Sequence, residues 1–287
     1  MRTYQKMVVV LAAIMLLFVL VFPAAPAMAQ DEVSVLFINV GKADAALLFL
    51  GEQRFLVDTG TKDSYDELER ALKLYQVERL DGVLITHPHK DHAGGLKKLL
   101  KSGMPVTTIY AGKLHNEESD QDHPAAKAAE KYEVALKWLS AGDEIDFGNG
   151  CKAVVLGPIS KDPLMENNNS LVLDIQTPEG NLLLTGDMEF DEEADLLQNG
   201  KIPNATVLKV AHHGEDDSTS AAFVQAVMPQ WAVISTNTAE EPDTPDQTVL
   251  ANLWHAKAGV AVTQDAQIGI LVKLADGAAS AESINMP

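Results

Sequence analysis

From Val33 onward, short apolar runs alternate with amphipathic stretches, a rhythm of strands followed by helices. VSVLFINV, ALLFL and RFLVD read as successive strands, with Gly41 and Gly51 marking turns. Helical spacing follows over residues 64–75, with Ser64 as the expected N-cap. GVLIT predicts the next strand, and CKAVVL, SLVLDI, NLLLT, TVLKVA, WAVIS and ILVKL predict later ones. Helices are expected over 124–139, 189–198, 219–227 and 246–257, whereas the tail after Leu274, ADGAASAESINMP, is expected to fray. Between Val33 and Lys273 there is no repeat, low-complexity tract or Pro/Ser linker, so residues 30–287 read as one continuous α/β domain.

The preceding residues have a different character. Arg2 and Lys6 open the chain, residues 7–22 are uninterruptedly apolar, and Ala27-Met28-Ala29 has the form of a cleavage signal. Residues 1–29 are therefore expected to be a signal peptide and the protein to be exported, secreted or held at the cell surface. The apolar run is slightly long for a signal and slightly short for a spanning helix, which leaves an N-terminal membrane anchor as the alternative. The net charge is −19, and −21 without residues 1–29, so the protein repels a polyanion and stable duplex-DNA binding is not expected. Cys151 is the sole cysteine, which excludes an internal disulfide framework.

The candidate chemistry sits at strand ends, where open α/β sheets place ligands. LITHPHKDHAGG carries His87, His89, Asp91 and His92 as H-x-H-x-D-H, a spacing that suits one or two divalent metals held by imidazole and carboxylate. Asp187 ends the run LLLTGD, where it is either a ligand or the cap of the next helix. His212 and His213 end LKVAHHG; on an extended chain neighbouring side chains point oppositely, so one of the two is expected to enter the site. Asp58 in FLVDTG is expected to accept the free N–H of a ligand histidine. His115 and His123 fall in the polar stretch HNEESDQDH and read as solvated loop residues.

In this order the motifs FINVGKADAALL, VDTG, LITHPHKDHAGGL, NNNSLVLDI, LLLTGD, LKVAHHGEDDSTS and PQWAVISTN resemble the metallo-β-lactamase fold superfamily, and within it the β-lactamase-like domain of the ComEC competence proteins. The resemblance covers nearly all of residues 33–274 and is that of a stand-alone exported member. It implies a four-layer αββα sandwich with the metal site at its edge. Carried over by position, it implies His87 and His89 on a first metal, Asp91 and His92 on a second, Asp187 bridging them, and His212 completing the second site with His213 as its substitute. Asp91 and Asp187 are the implied catalytic carboxylates. Where the superfamily often supplies a further histidine to the first metal, the chain has Asn167, Asn168, Asn169 and Ser170. Asn169 is expected to lie behind the ligands or to meet substrate, and the amide run points to a weakly held zinc or a harder ion such as manganese. Two further departures are Thr244, where relatives often carry histidine, and Lys42-Ala43, where they carry Gln-Gly.

The expected function is therefore an exported metal-dependent hydrolase acting on a phosphodiester, either short or single-stranded DNA or a small phosphoester. Any membrane contact would run only through the N-terminal segment. A metal-containing binding module with weakened catalysis is the alternative, and a β-lactamase or lactonase ranks behind both.

Overall fold

The computed structural model describes residues 33–286; the expected signal or anchor of residues 1–29 lies outside them. Among the described residues the strands form two sheets. In the first, β1 (Val33–Ile38), β2 (Ala46–Leu50) and β3 (Gln53–Val57) make an antiparallel meander, with Val35 opposite Leu48 and Leu48 opposite Phe55. It continues in parallel through β4 (Gly82–Ile85), β5 (Thr108–Gly112) and β6 (Ala135–Leu139). The connections are α1 (Tyr65–Leu74), the short α2 (Lys90–Ala93) and α3 (Leu96–Lys101), and α4 (Pro124–Tyr132).

The second sheet begins antiparallel with β7 (Glu144–Gly148), β8 (Cys151–Gly157), β9 (Val172–Thr177) and β10 (Gly180–Leu184). It turns parallel at β11 (Val207–Lys209), β12 (Trp231–Ile234) and β13 (Gly259–Val262), connected by α5 (Phe190–Gln198), α6 (Ala221–Val227) and α7 (Gln247–His255). β14 (Gly269–Ala275) then returns to the first sheet beside β1, and β15 (Ala278–Ile284) pairs outside it.

The long apolar runs follow from burial on both strand faces. In β1, Val35 and Phe37 join the core between the sheets, and Leu36 and Ile38 join the core under the helices. Leu68, Leu72, Leu96, Leu99, Ala125 and Ala129 cover the first sheet from outside, while Leu196, Phe223, Val224, Val249 and Leu253 cover the second. The order is helix, sheet, sheet, helix, the αββα sandwich that the resemblance implies.

Several expectations about elements are corrected. The helix expected over 124–139 stops at Tyr132, because Glu133 turns left-handed (φ 55°) and the alternating ALKWL leaves as edge strand β6. Ser64 precedes α1 but makes no side-chain cap; its Oγ instead accepts the N–H of Thr61. The tail is not frayed. Asp276 and Gly277, both at positive φ, form a tight turn that sets Ala278 opposite Ala275 and pairs β15 along the whole of β14. β5, β7 and β13 have no counterpart among the predicted strands.

Candidate metal centre

The carboxyl ends of β3, β4, β10, β11 and β12 meet at one edge of the sandwich, so five separate loops supply one cluster. Two of its residues, Asp58 (φ 60°) and His213 (φ 55°), hold strained left-handed backbone, as does the adjoining His212 (φ 46°). The loop after His92 comes equally close. A Cβ on Gly95 would lie 2.2 Å from the Thr59 carbonyl oxygen, so only glycine lets α3 start against that strand end. Thr59 meanwhile donates from both its N–H and its hydroxyl to the carbonyl of His92.

Three buried imidazoles share one orientation. His92 donates Nδ1–H to Asp58 Oδ2 at 2.8 Å, His213 donates Nδ1–H to the Ser235 carbonyl at 2.9 Å, and His87 Nδ1 lies 3.2 Å from Thr86 Oγ1 and 3.3 Å from Ser170 Oγ. Each therefore turns Nε2 inward, at 2.9, 3.4 and 3.8 Å from Asp187 Oδ2 for His92, His213 and His87 in turn. Asp91 Oδ2 stands 3.4 Å from His213 Nε2. Asp58 is itself held by the N–H and hydroxyl of Thr86, and the Asp187 amide donates to Ser170 Oγ.

Opposing charges set the ionisation here. Burial alone would drive His213 down, but the carboxylates of Asp187 and Asp91 push it up to about 9. His92 is likewise lifted well above its ordinary range, against burial, by Asp187 and Asp58. Burial would raise Asp187, yet His213 and His92 hold it well below the usual carboxylate range. His87 goes the other way, lowered by burial and by the neighbouring His92.

One ligand atom from each of Asp91, His92, Asp187 and His213 falls within 4.8 Å of all the others. The Nε2 atoms of His87 and His213 are buried without a hydrogen-bond partner. Such orphaned atoms are costly unless something else coordinates them, and an all-nitrogen-and-oxygen set suits a divalent ion. The residues present fit a metal.

The structure brings together His87, Asp91, His92, Asp187, His213 and Asp58, and it moves two expected residues elsewhere. The two histidines are not extended, so the rule of opposite faces does not decide between them; the left-handed turn sends His213 inward and His212 to Asp217, 2.8 Å from its Nδ1. His212 Nε2 faces the Asn167 amide at 3.1 Å. Asn169 is corrected too: its amide is taken up by the backbone of Asp162, and it is Ser170 that reaches His87. His89 is exposed at the mouth, its ring 4.7 Å from that of His87. Thr244 is buried against the Thr236 hydroxyl.

Asp44 and Lys209 were absent from the expected site. Lys209 Nζ pairs with Asp44, donates to the Gly186 carbonyl at 3.1 Å and lies 3.8 Å from Asp187 Oδ1. The signal was present in TVLKVA, since a lysine inside a strand covered on both faces needs a buried partner.

Fold and site together define the class: the chain belongs to the metallo-beta-lactamase superfamily, whose family model matches residues 38–236. This fold holds one or two metal ions, and its members are typically hydrolases. Among individual proteins, the chain is similar to ComE operon protein 3 of Bacillus subtilis, 30% identical over 239 residues that cover 77% of this chain and 30% of that protein. It is also similar to competence protein ComA of Neisseria gonorrhoeae, 28% identical over 225 residues, covering 78% and 30%. These are competence proteins of the ComEC type, and the chain spans under a third of their length. Zinc-bound PqqB from Methylobacterium extorquens shares the fold at TM-score 0.56 and 14% identity, covering 83% of this chain and 99% of that one. CmlA of Streptomyces venezuelae, a diiron β-hydroxylase, shares it at TM-score 0.55 and 12% identity, covering 83% and 53%.

Proposed function

We propose that the protein is a metal-dependent phosphodiesterase whose substrate is a small phosphoester or a short single strand of DNA. The observation that carries this reading is the common orientation of His87, His92 and His213, each with Nδ1 engaged and Nε2 facing Asp187 Oδ2. A tautomer fixed in this way presents a lone pair to a metal. Asp91, His92, Asp187 and His213 would hold one ion, with Asp187 shared towards His87 and His89 for a second. When bound, zinc or manganese supplies Lewis acidity and brings the pKa of water towards neutrality. Asp187 and Asp91 would orient the attacking water, and Asp58 holds the ring of His92. The competence-protein relatives support a phosphodiester, and the acidic charge supports a short substrate over a duplex. Export rests on the pattern of residues 1–29.

The test is to strip and reload the chain with manganese or zinc, then measure bound metal and hydrolysis of bis-p-nitrophenyl phosphate. His213→Ala is expected to lose an ion and most activity, whereas His212→Ala keeps its metal; the reverse pattern refutes this ligand set. Full metal content without hydrolysis of phosphoesters, lactones or β-lactams supports instead a binding module. That second reading is favoured by one observation: apart from His92, which is engaged with Asp58 and Asp187, no further imidazole stands beside His87 and exposed His89 among the described residues, and Asn169 is engaged with Asp162.

A further inference from the structure

Lys209 is a lysine in the middle of a metal centre, only 4% exposed on a strand whose other residues are fully buried. Its ammonium pairs with Asp44, itself buried, and donates to the carbonyl of Gly186, the residue before Asp187. The two oxygens of Asp187 consequently face different charges. Oδ2 looks at three imidazoles, while Oδ1, without a hydrogen bond of its own, looks at the Lys209 ammonium 3.8 Å away. Asp44 extends the same contact to the other side of the cluster: Oδ2 lies 3.7 Å from His92 Nδ1, Oδ1 4.0 Å from His213 Nδ1, and its amide donates to the Asp91 carbonyl.

We infer that Lys209 is a positioning residue for the metal centre. It acts through Asp187 and Asp44, reserving Asp187 Oδ2 for the metal by drawing Oδ1 to itself and fixing the turn at Gly186. The inference rests on the metal reading above. A carboxylate free to rotate about its final bond offers a cation either oxygen, and holding it in one pose removes that freedom. Burying an ammonium is unfavourable without a compensating charge, and Asp44 supplies that charge from the Nδ1 side of His92 and His213, opposite the Nε2 atoms that face Asp187. Lys209 and Asp44 thus form a neutral pair that orients the cluster without adding to its net charge.

The experiment is calorimetric titration of the chelator-stripped full chain with manganese(II), for the wild type, Lys209→Met, Lys209→Arg and the double variant Asp44→Asn/Lys209→Met. Loss of a partner that orients a ligand typically weakens metal binding about 10- to 100-fold, and that is the expected loss in Lys209→Met. The double variant, which leaves no buried charge unpaired, serves as the folded control should Lys209→Met unfold, and its affinity is expected to fall by the same factor. Lys209→Arg is expected to recover part of the loss. On bis-p-nitrophenyl phosphate the variants are expected to lose kcat with KM little changed. Manganese affinity within twofold of wild type in the folded double variant overturns the inference and reduces Lys209 to a core ion pair; a gain in affinity overturns it as well. A wild type that binds no manganese or zinc overturns the metal reading itself and this inference with it, whereas a wild type that binds alongside unaffected variants overturns only the role of Lys209.

Discussion

His123 starts α4 by accepting the N–H of Ala125 on Nδ1 and is wholly buried, with its ring against those of His115 and Trp138. Burial first, and then His115, lowers its pKa from 6.5 to about 3. The folded protein thus keeps this ring neutral where the unfolded chain protonates it, so its contribution is complete above about 6.5 and is lost as pH falls towards 3. The thermal midpoint is expected to drop across that window, and less steeply in His123→Asn, whose side chain also caps a helix; equal slopes in the two proteins would remove His123 as a cause. Polarity alone hid this burial, since HNEESDQDH differs little from a solvated loop until Trp138 is seen to cover it. Residue chemistry was legible elsewhere: H-x-H-x-D-H, Asp187 and Asp58 were visible as strand-end polar groups, and the structure draws all of them together except His89, which stays at the mouth. The choice between His212 and His213 was not legible, because it depends on two left-handed residues that neither side chain announces.

At the scale of elements, the β14–β15 hairpin makes the sharpest test. Gly277 sits at φ 75° with open space where a Cβ would be, so Gly277→Ala meets only the backbone penalty of the left-handed region, about 1–2 kcal/mol. The expected drop in thermal midpoint is about 2–4 °C per kcal/mol; no change would mean that the hairpin contributes nothing to the cooperative unit. Asp-Gly between two extended runs is a strong hairpin signal, and ILVKL before it was legible as a strand, but the small and polar residues after it, AASAESI, concealed β15. The apolar strands were legible because both of their faces are buried, whereas β7 and β6, at sheet edges, expose alternate residues and carry no continuous run. The boundary of α4 was lost for a related reason: a helix former such as ALKW says little about its own partner, and pairing with β5 decides.

For the whole molecule, charge governs what reaches the site. Beyond the −19 total, the loop after His213 opens on a cavity of about 560 Å³ lined by Glu215, Asp216, Glu241, Asp243 and Asp246. Such a rim repels a polyanion, and added salt screens it. Under the proposed activity, kcat/KM for a long single-stranded DNA is expected to rise between roughly 0.02 and 0.2 M NaCl, while that for a small diester stays nearly constant; a fall for DNA would show a cationic track instead. Topology has its own consequence. β1 pairs with β14, Val33 with Leu274, so one side of β1 is open until the chain has been made past Ala275. At roughly 5–20 residues per second, synthesis of the intervening stretch takes some 10–50 s. Throughout that interval the first sheet lacks an inner strand, and its earliest segment can be finished only by its latest.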